Sequence, residues 1–266
     1  MLNIHPLYSS SSGNLFHIDN GGRTNILIDA GVTYKAINDG LKSLDKDISN
    51  ISAVLITHEH SDHIKGLPLL CRKNTNIPIY ACGKTADLLS ELLKEKNISA
   101  NIIKTEYDKP FQINGIEILP FETPHDAVMP CGFRIKSGNT TLSYATDLGH
   151  MTGDVFDHLK FSDYIILEAN YDTAMLDFGK YPFHLKRRIK SPIGHLSNDV
   201  SATTIARLAK LGQANFLLAH LSENNNNEDI AFNTIITTLK QNDVDTDHLN
   251  INFASKTLSS EEYNIC

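Results

Sequence analysis

The sequence predicts an α/β protein, an αββα four-layer sandwich of two mixed sheets with helices outside. Three observations carry that expectation. Short apolar runs of strand character alternate with longer amphipathic stretches, and the alternation repeats in the second half of the chain. Residues of metal-binding type recur just after such runs, as a site on one rim of a sandwich requires. No low-complexity linker divides the 266 residues, so one domain spanning 1–266 is expected.

The elements follow in order. Asn3–Leu7, Leu15–Ile18 and Asn25–Asp29 read as short strands, with Asn20-Gly21-Gly22 turning the chain between the second and third. Tyr8–Asn14, rich in serine, reads as the loop between the first two. Tyr34–Leu44 reads as a helix and Ser52–Ile56 as a buried strand. The stretch from Ile64 begins like a helix, and Ile77–Ala81 is again a strand. In Gly83–Lys96, Leu88, Leu89, Leu92 and Leu93 recur at helical spacing and form a core face. Strand-like runs follow at Asn101–Lys104, Ile116–Phe121, Cys131–Lys136, Thr140–Ala145, Tyr164–Glu168, Asn215–Ala219 and Ile251–Ala254. Asn198–Lys210 and Asp229–Gln241 read as helices, and Asn224–Asn227 as a polar surface loop beside the site.

Composition bounds the function. Hydrophobic content of 41% and charged content of 21% suit a globular protein with a sizeable core. No apolar run approaches the ~20 residues of a membrane span. Met1–Pro6 lacks the basic start and apolar centre of a signal peptide, so a cytoplasmic location is expected. Cys71, Cys82, Cys131 and Cys266 are scattered without a Cys-x-x-Cys pair, and the first three read as buried free thiols. A net charge of −7 argues against a broadly basic nucleic-acid-binding surface, but not against a local basic patch.

Chemistry concentrates in Thr57-His58-Glu59-His60-Ser61-Asp62-His63, directly after a buried strand. Residues two apart in an extended segment point the same way, so His58 and His60 can reach one ion. Where the chain turns, Asp62 and His63 can swing to a second position. Imidazole and carboxylate suit zinc and similar divalent metals.

His58-x-His60-x-Asp62-His63 resembles the signature of the metallo-β-lactamase fold, whose members hydrolyse esters, thioesters, amides or phosphodiesters. The resemblance implies the αββα sandwich independently. It also implies roles for His125, a few residues before Gly132-Phe133, and for Asp147, which ends the strand Thr140–Ala145 and would bridge two ions. His220 ends a further strand. The shells so expected are His58, His60, His125 and Asp147 for one divalent ion, and Asp62, His63, His220 and Asp147 for the other. Zinc, manganese or iron all suit such a set. Two ions roughly 3.5–4 Å apart can share a hydroxide as nucleophile and steady attacking and leaving oxygens. Flavin-linked diiron relatives place Glu where this chain has His60, which argues against oxygen reduction.

Two features lean toward phosphodiesters. Gly194-His195-Leu196-Ser197-Asn198 resembles the Gly-His-Ser-Thr segment of tRNA-processing members, whose histidine acts on the leaving oxygen and is oriented by a glutamate. By residue match those are His195 and Glu168, and Asp62 joins them as a catalytic residue. A carboxylate fixes the imidazole tautomer and raises its basicity, so protonated His195 can serve as general acid. Lys186, Arg187, Arg188 and Lys190 form a basic run before His195 that suits a phosphate track. Substrate contacts are expected from Ser10, Ser11, Ser12, Asn14, Lys186, Arg187, Arg188 and Ser197.

The chain between Asp147 and His220 is too short for the inserted domain of β-CASP ribonucleases, and that between His125 and Asp147 too short for the tRNA-processing arm. What remains resembles the compact bacterial YycJ/WalJ group, from Ser9–Asn14 through Glu168–Asp172 to Ala219–Ser222. That resemblance implies a 5′→3′ exonuclease on double-stranded DNA, with nucleic acid as partner, DNA rather than RNA, and no membrane. Spacing and composition leave DNA against RNA, and exo against endo, open. A small-molecule hydrolase of thioesters or cyclic phosphates needs neither the basic run nor the His195–Glu168 pair. A non-catalytic metal-binding signalling module is the third reading, and the full ligand set weighs against it.

Overall fold

The computed structural model describes residues 2–22, 24–258 and 262–265. Among them, two seven-stranded mixed sheets pack face to face. The first takes β1 (Leu2–Ser10), β2 (Gly13–Asp19), β3 (Asn25–Ile28), β4 (Ala53–Ile56), β5 (Pro78–Cys82) and β6 (Asn101–Thr105) in order, with β14 (Tyr263–Ile265) on the outer edge of β1. The second runs β7 (Phe111–Ile113), β8 (Ile116–Glu122), β9 (Cys131–Ser137), β10 (Thr140–Ala145), β11 (Tyr164–Glu168), β12 (Asn215–Ala219) and β13 (Asn250–Phe253). In each sheet three antiparallel pairings give way to three parallel ones, at β3 in the first and β10 in the second.

The alternation of side chains in the central strands builds three cores at once. Ala53 and Leu55 of β4 face the second sheet, where Tyr164 and Ile166 of β11 and Leu217 of β12 meet them. Val54 and Ile56 face the other way, under α1 (Tyr34–Ser43), α3 (Leu67–Lys73) and α4 (Gly83–Glu95). Ile165, Leu167, Phe216 and Leu218 likewise pack under α5 (Gly153–Leu159), α8 (Asn198–Ala209) and α9 (Glu228–Gln241). Strands buried on both faces read as unbroken apolar runs, which is why the sequence located them. The layers are therefore α/β/β/α, as expected.

Several details differ from the sequence reading. The serine stretch is mostly strand: β1 runs to Ser10, β2 starts at Gly13, and only Ser11 and Ser12 turn the chain. A bulge between Pro6 and Tyr8 lets β1 continue past a proline that cannot donate to the ladder. Strands β7 and β14 are three residues each, too short to show periodicity. Asn114-Gly115, both at positive φ, closes the β7–β8 hairpin. α5, α6 (Thr173–Phe178) and α7 (Phe183–Ile189) were not predicted, being two turns or less. Asn225 and Asn226 are buried, not on the surface: Asn226 Nδ2 donates to the Ala169 carbonyl at 2.8 Å and exchanges hydrogen bonds with the Asn198 amide. Cys71, Cys82 and Cys131 are buried and unpaired, while Cys266 lies outside the described residues. No described helix is long and apolar enough to cross a membrane.

Candidate metal centre

Every expected ligand lies on one rim, where strands of both sheets end. β4 delivers His58 and His60, and the single-turn helix α2 (Ser61–Ile64) carries Asp62 and His63. His125 follows β8, Asp147 follows β10 and His220 follows β12. Asp147 and His220 have φ of 59° and 57°, and so does Asp29, at 62°, after β3. Non-glycine residues take this left-handed conformation uncommonly, aspartate, asparagine and histidine more than most, and it recurs at three strand ends of this rim.

Two groups of ligand atoms result. His60 Nδ1 lies 3.1 Å from His58 Nε2 and 3.3 Å from His125 Nε2. In the second group, His63 Nε2 lies 3.4 Å from Asp62 Oδ2, and His220 Nε2 lies 3.6 Å from the same oxygen. Asp147 stands between them, with Oδ2 3.5 Å from His63 Nε2 and Oδ1 3.8 Å from His125 Nε2.

Divalent cations fit this arrangement on its own evidence. Asp147 Oδ2 and His220 Nε2 are buried with no hydrogen-bond partner among the described residues. Each orphaned group of this kind costs about 1–3 kcal/mol, which a bound cation removes. Burial, then the neighbouring His63, holds His58 well below the ordinary histidine range, and burial also lowers His125. Both are thus neutral, as ligands must be. In the second group burial opposes protonation, but carboxylates outweigh it. His220 is pushed up to about 10 by Asp147, Asp62 and Glu168, and His63 is raised by Asp29 and Asp147. This half of the site attracts positive charge strongly.

The surrounding contacts set the tautomers. His125 Nδ1 donates to the Gly194 carbonyl at 3.0 Å, leaving Nε2 for an ion. His63 Nδ1 donates to Asp29 Oδ2 at 2.7 Å. Asp29 in turn accepts the Thr57 backbone N–H at 2.9 Å and the Thr57 hydroxyl at 3.0 Å. Burial raises the Asp29 carboxyl against the pull of His63, and the bond between them orients the His63 ring with Nε2 toward the ligand group. Gly31 lets the backbone close over this corner: a Cβ there would sit 1.6 Å from the Asp62 carbonyl oxygen.

Glu168 is fully buried and accepts four hydrogen bonds. Oε2 takes the backbone N–H groups of Leu148 at 2.8 Å and Leu196 at 3.1 Å. Oε1 takes His195 Nδ1 at 2.8 Å and His220 Nδ1 at 3.1 Å. The carboxylate expected to orient His195 therefore also orients a candidate ligand. Burial raises Glu168, but His195 and the bonds from both histidines hold it below the ordinary glutamate range. His195 is partly open to solvent, with Nε2 making no hydrogen bond among the described residues.

The expected substrate contacts disperse. Asn14 Nδ2 lies 3.2 Å from His63 Nε2, inside the site, and donates to the Ser10 carbonyl at 3.0 Å. Ser10 and Ser12 share a hydroxyl hydrogen bond of 2.9 Å, Ser12 also reaches Glu223, and Ser11 is exposed. The Ser197 hydroxyl caps α8 by accepting from the Val200 N–H. The basic run is largely tied down. Lys186 donates to the Asp177 and Gly179 carbonyls, Arg188 clamps both oxygens of Asp126, and Lys190 pairs with Asp177. Arg187 is exposed and makes no ion pair among the described residues.

Sequence reasoning missed Asp29, Ser9 and Asn170. The Ser9 hydroxyl accepts the His220 N–H at 2.8 Å, and Asn170 Nδ2 donates to the His220 carbonyl at 2.9 Å. An aspartate ending an apolar run before Ala30-Gly31 was the one available signal, because it repeats the position of Asp147.

Comparison with known proteins decides the family. Residues 24–221 match the model of the beta-lactamase superfamily domain. The chain belongs to this family. It is 33% identical over 241 residues to a Bacillus anthracis protein named exodeoxyribonuclease YycJ, covering 90% of each chain. It is 34% identical over 240 residues to exodeoxyribonuclease WalJ of Streptococcus pneumoniae serotype 2, covering 90% of this chain and 88% of that one. Among solved structures, zinc-bound PqqB from Methylobacterium extorquens superposes with a TM-score of 0.72 at 14% identity, covering 99% and 100% of the two chains. With those relatives, this beta-lactamase-superfamily chain is a metal-dependent hydrolase.

One test of the centre isolates Asp29. Asp29→Asn keeps the shape but weakens the hold on the His63 tautomer, and is expected to lower metal affinity at the Asp62, His63 and His220 group about 10–100-fold. Metal retained after dialysis, measured by mass spectrometry, checks this. Unchanged retention in a folded variant would remove Asp29 from the centre.

Proposed function

We propose that this chain is a cytoplasmic, dinuclear metal-dependent phosphodiesterase, a 5′→3′ exonuclease on double-stranded DNA. The observation that carries the reading is the His195–Glu168 pair placed beside both ligand groups. The naming of its relatives as exodeoxyribonucleases supports DNA as the substrate.

His58, His60, His125 and Asp147 hold one ion, and Asp62, His63, His220 and Asp147 the other. Bound divalent ions lower the pKa of water and neutralise charge on phosphate oxygens. The chain supplies the rest. Glu168 holds the His195 proton on Nδ1, so Nε2 faces the open side. There a protonated His195 gives its second proton to the oxygen that leaves phosphorus. Arg187, which makes no ion pair among the described residues, lines a surface cleft with Phe183 and Pro192, a few residues before His195 in the chain. Phe183 in that cleft and Phe178 in a second one beside Glu223, 80% and 92% exposed, offer rings on which a base can stack.

The small-molecule reading keeps one specific support, that Lys186, Arg188 and Lys190 are engaged within the protein. A single assay separates the two. Metal-loaded protein is given duplex DNA with a 5′-phosphate, labelled at either end, beside matched single-stranded DNA and RNA. Stepwise products from the 5′ end of the duplex are expected. Arg187→Ala combined with Phe178→Ala and Phe183→Ala is expected to raise KM at least ~10-fold, with kcat little changed, because stacking contributes about 1–3 kcal/mol per base. Indifference of all nucleic acids, with turnover of a thioester or cyclic phosphate, would establish the other reading.

A further inference from the structure

We propose that the first sheet carries a separate site for one divalent transition-metal ion, built from His5, His17 and Asp19 on the face under α1. It shares no residue with the rim centre.

The site follows from strand register. His5 of β1 and His17 of β2 are directly opposed, and Asp19 lies two positions beyond His17 on the same face. All three are buried, at 5%, 0% and 2% exposure. The two rings are 5.2 Å apart, centroid to centroid. His5 Nε2 lies 3.7 Å and His17 Nδ1 3.9 Å from the same oxygen, Asp19 Oδ2. Ligand atoms of the three residues all fall within 4.8 Å of one another, as they do at the rim.

The hydrogen bonds leave those atoms turned toward one another, with the Lys46 ammonium beside the carboxylate. Asp19 Oδ1 accepts from Asn3 Nδ2 and from the Gly21 N–H, each at 2.8 Å, which fixes the carboxylate and leaves Oδ2 to the imidazoles. His17 Nε2 donates to Asn25 Oδ1 at 3.0 Å, and that amide's nitrogen donates onward to the Asn50 carbonyl. The proton of His17 is therefore on Nε2, and its Nδ1 lone pair faces the carboxylate. That Nδ1 is buried with no hydrogen-bond partner among the described residues, and so is Nδ1 of His5. Burial, then the neighbouring His5, lowers His17 to about 4, so it is a neutral imidazole. Two imidazoles and a carboxylate converging on one point are the donor set of zinc, copper and nickel, and too nitrogen-rich for calcium or magnesium.

Two more side chains complete the environment. Glu262, just before β14, places Oε1 3.9 Å from His5 Nε2 and is the natural fourth ligand. Lys46, shortly after α1, sets Nζ 3.3 Å from Asp19 Oδ2. It is a tethered cation in the position an ion would take. His5, Asp19 and Glu262 line a surface cleft with Asn3, Asp45 and Lys46, so an ion has a way in, while His17 lies behind it, fully buried. The ammonium must swing out as it enters, which makes Lys46 the competitor that sets affinity.

The test counts zinc in the whole protein at equilibrium with buffered free Zn2+, by mass spectrometry after dialysis. Wild type is expected to hold one equivalent more than His17→Gln. Lys46→Ala is expected to fill this site at free zinc at least tenfold lower than wild type does. Because His17 is fully buried, His5→Gln is run beside His17→Gln, with circular dichroism confirming the fold of each. Copper loaded in place of zinc should give an electron paramagnetic resonance signal from an ion bound by two imidazole nitrogens, absent in the histidine variants. Equal zinc counts in wild type and a folded histidine variant would overturn the proposal. So would Lys46→Ala without tighter zinc binding, since Lys46 would then be the permanent counter-ion of a closed polar cluster.

Discussion

His195→Ala is expected to keep its full metal content and to lower kcat on a phosphodiester about 10²–10⁴-fold. His195 belongs to neither expected shell: Glu168 holds its Nδ1 in a cluster with Asp147 and His220, so its removal leaves the seven expected ligands in place. General-acid action adds a sharper signature. A substrate whose leaving group needs no proton, such as a nitrophenolate, should lose far less rate than DNA. Equal losses on both substrates would mean that His195 positions the phosphate instead. Wild-type speed on both would remove it from the chemistry altogether.

Glu168→Gln should be the more damaging change despite its smaller chemical difference. The carboxylate accepts from four donors at once, two backbone N–H groups and two imidazoles. A glutamine offers one oxygen and one NH2 group, so either orientation sets a donor against buried donors. The variant loses the hold on both His195 and His220. A fall in kcat of about 10³–10⁴-fold is expected, the scale found where a carboxylate fixing a histidine tautomer is neutralised. A drop of about 10–100-fold in metal affinity should accompany it. The pairing of those two losses is the diagnostic, read from kinetics at saturating metal and from metal retention. A variant that loses rate but keeps its metals would confine Glu168 to His195.

What the sequence made legible has a physical pattern. Ligands that end apolar runs, such as His58, Asp147 and His220, could be located because a strand buried on both faces announces itself and its end. The four-layer order was legible for the same reason. Contacts that depend on which strand lies beside which were not. Asp29 reaches His63 and Ser9 reaches His220 only because β3 neighbours β4 and the end of β1 meets the segment after β12. The basic run shows the opposite failure. Four cations in five residues looked like a track for phosphate, yet Asp126 and the end of α6, remote or unremarkable in sequence, take three of them. The asparagine tract was misread because reciprocal amide pairing lets such residues be buried, a possibility that composition does not reveal.

The left-handed backbone at Asp29, Asp147 and His220 has a consequence for laboratory evolution. Each of these residues holds a conformation that glycine or asparagine adopts with less strain, on the order of 1 kcal/mol per position. A screen that rewards thermal stability or expression and ignores turnover would therefore favour replacement at these three sites. Its winners would be well-folded sandwiches with an eroded rim. Any stabilised descendant of this protein is best judged first at those three codons.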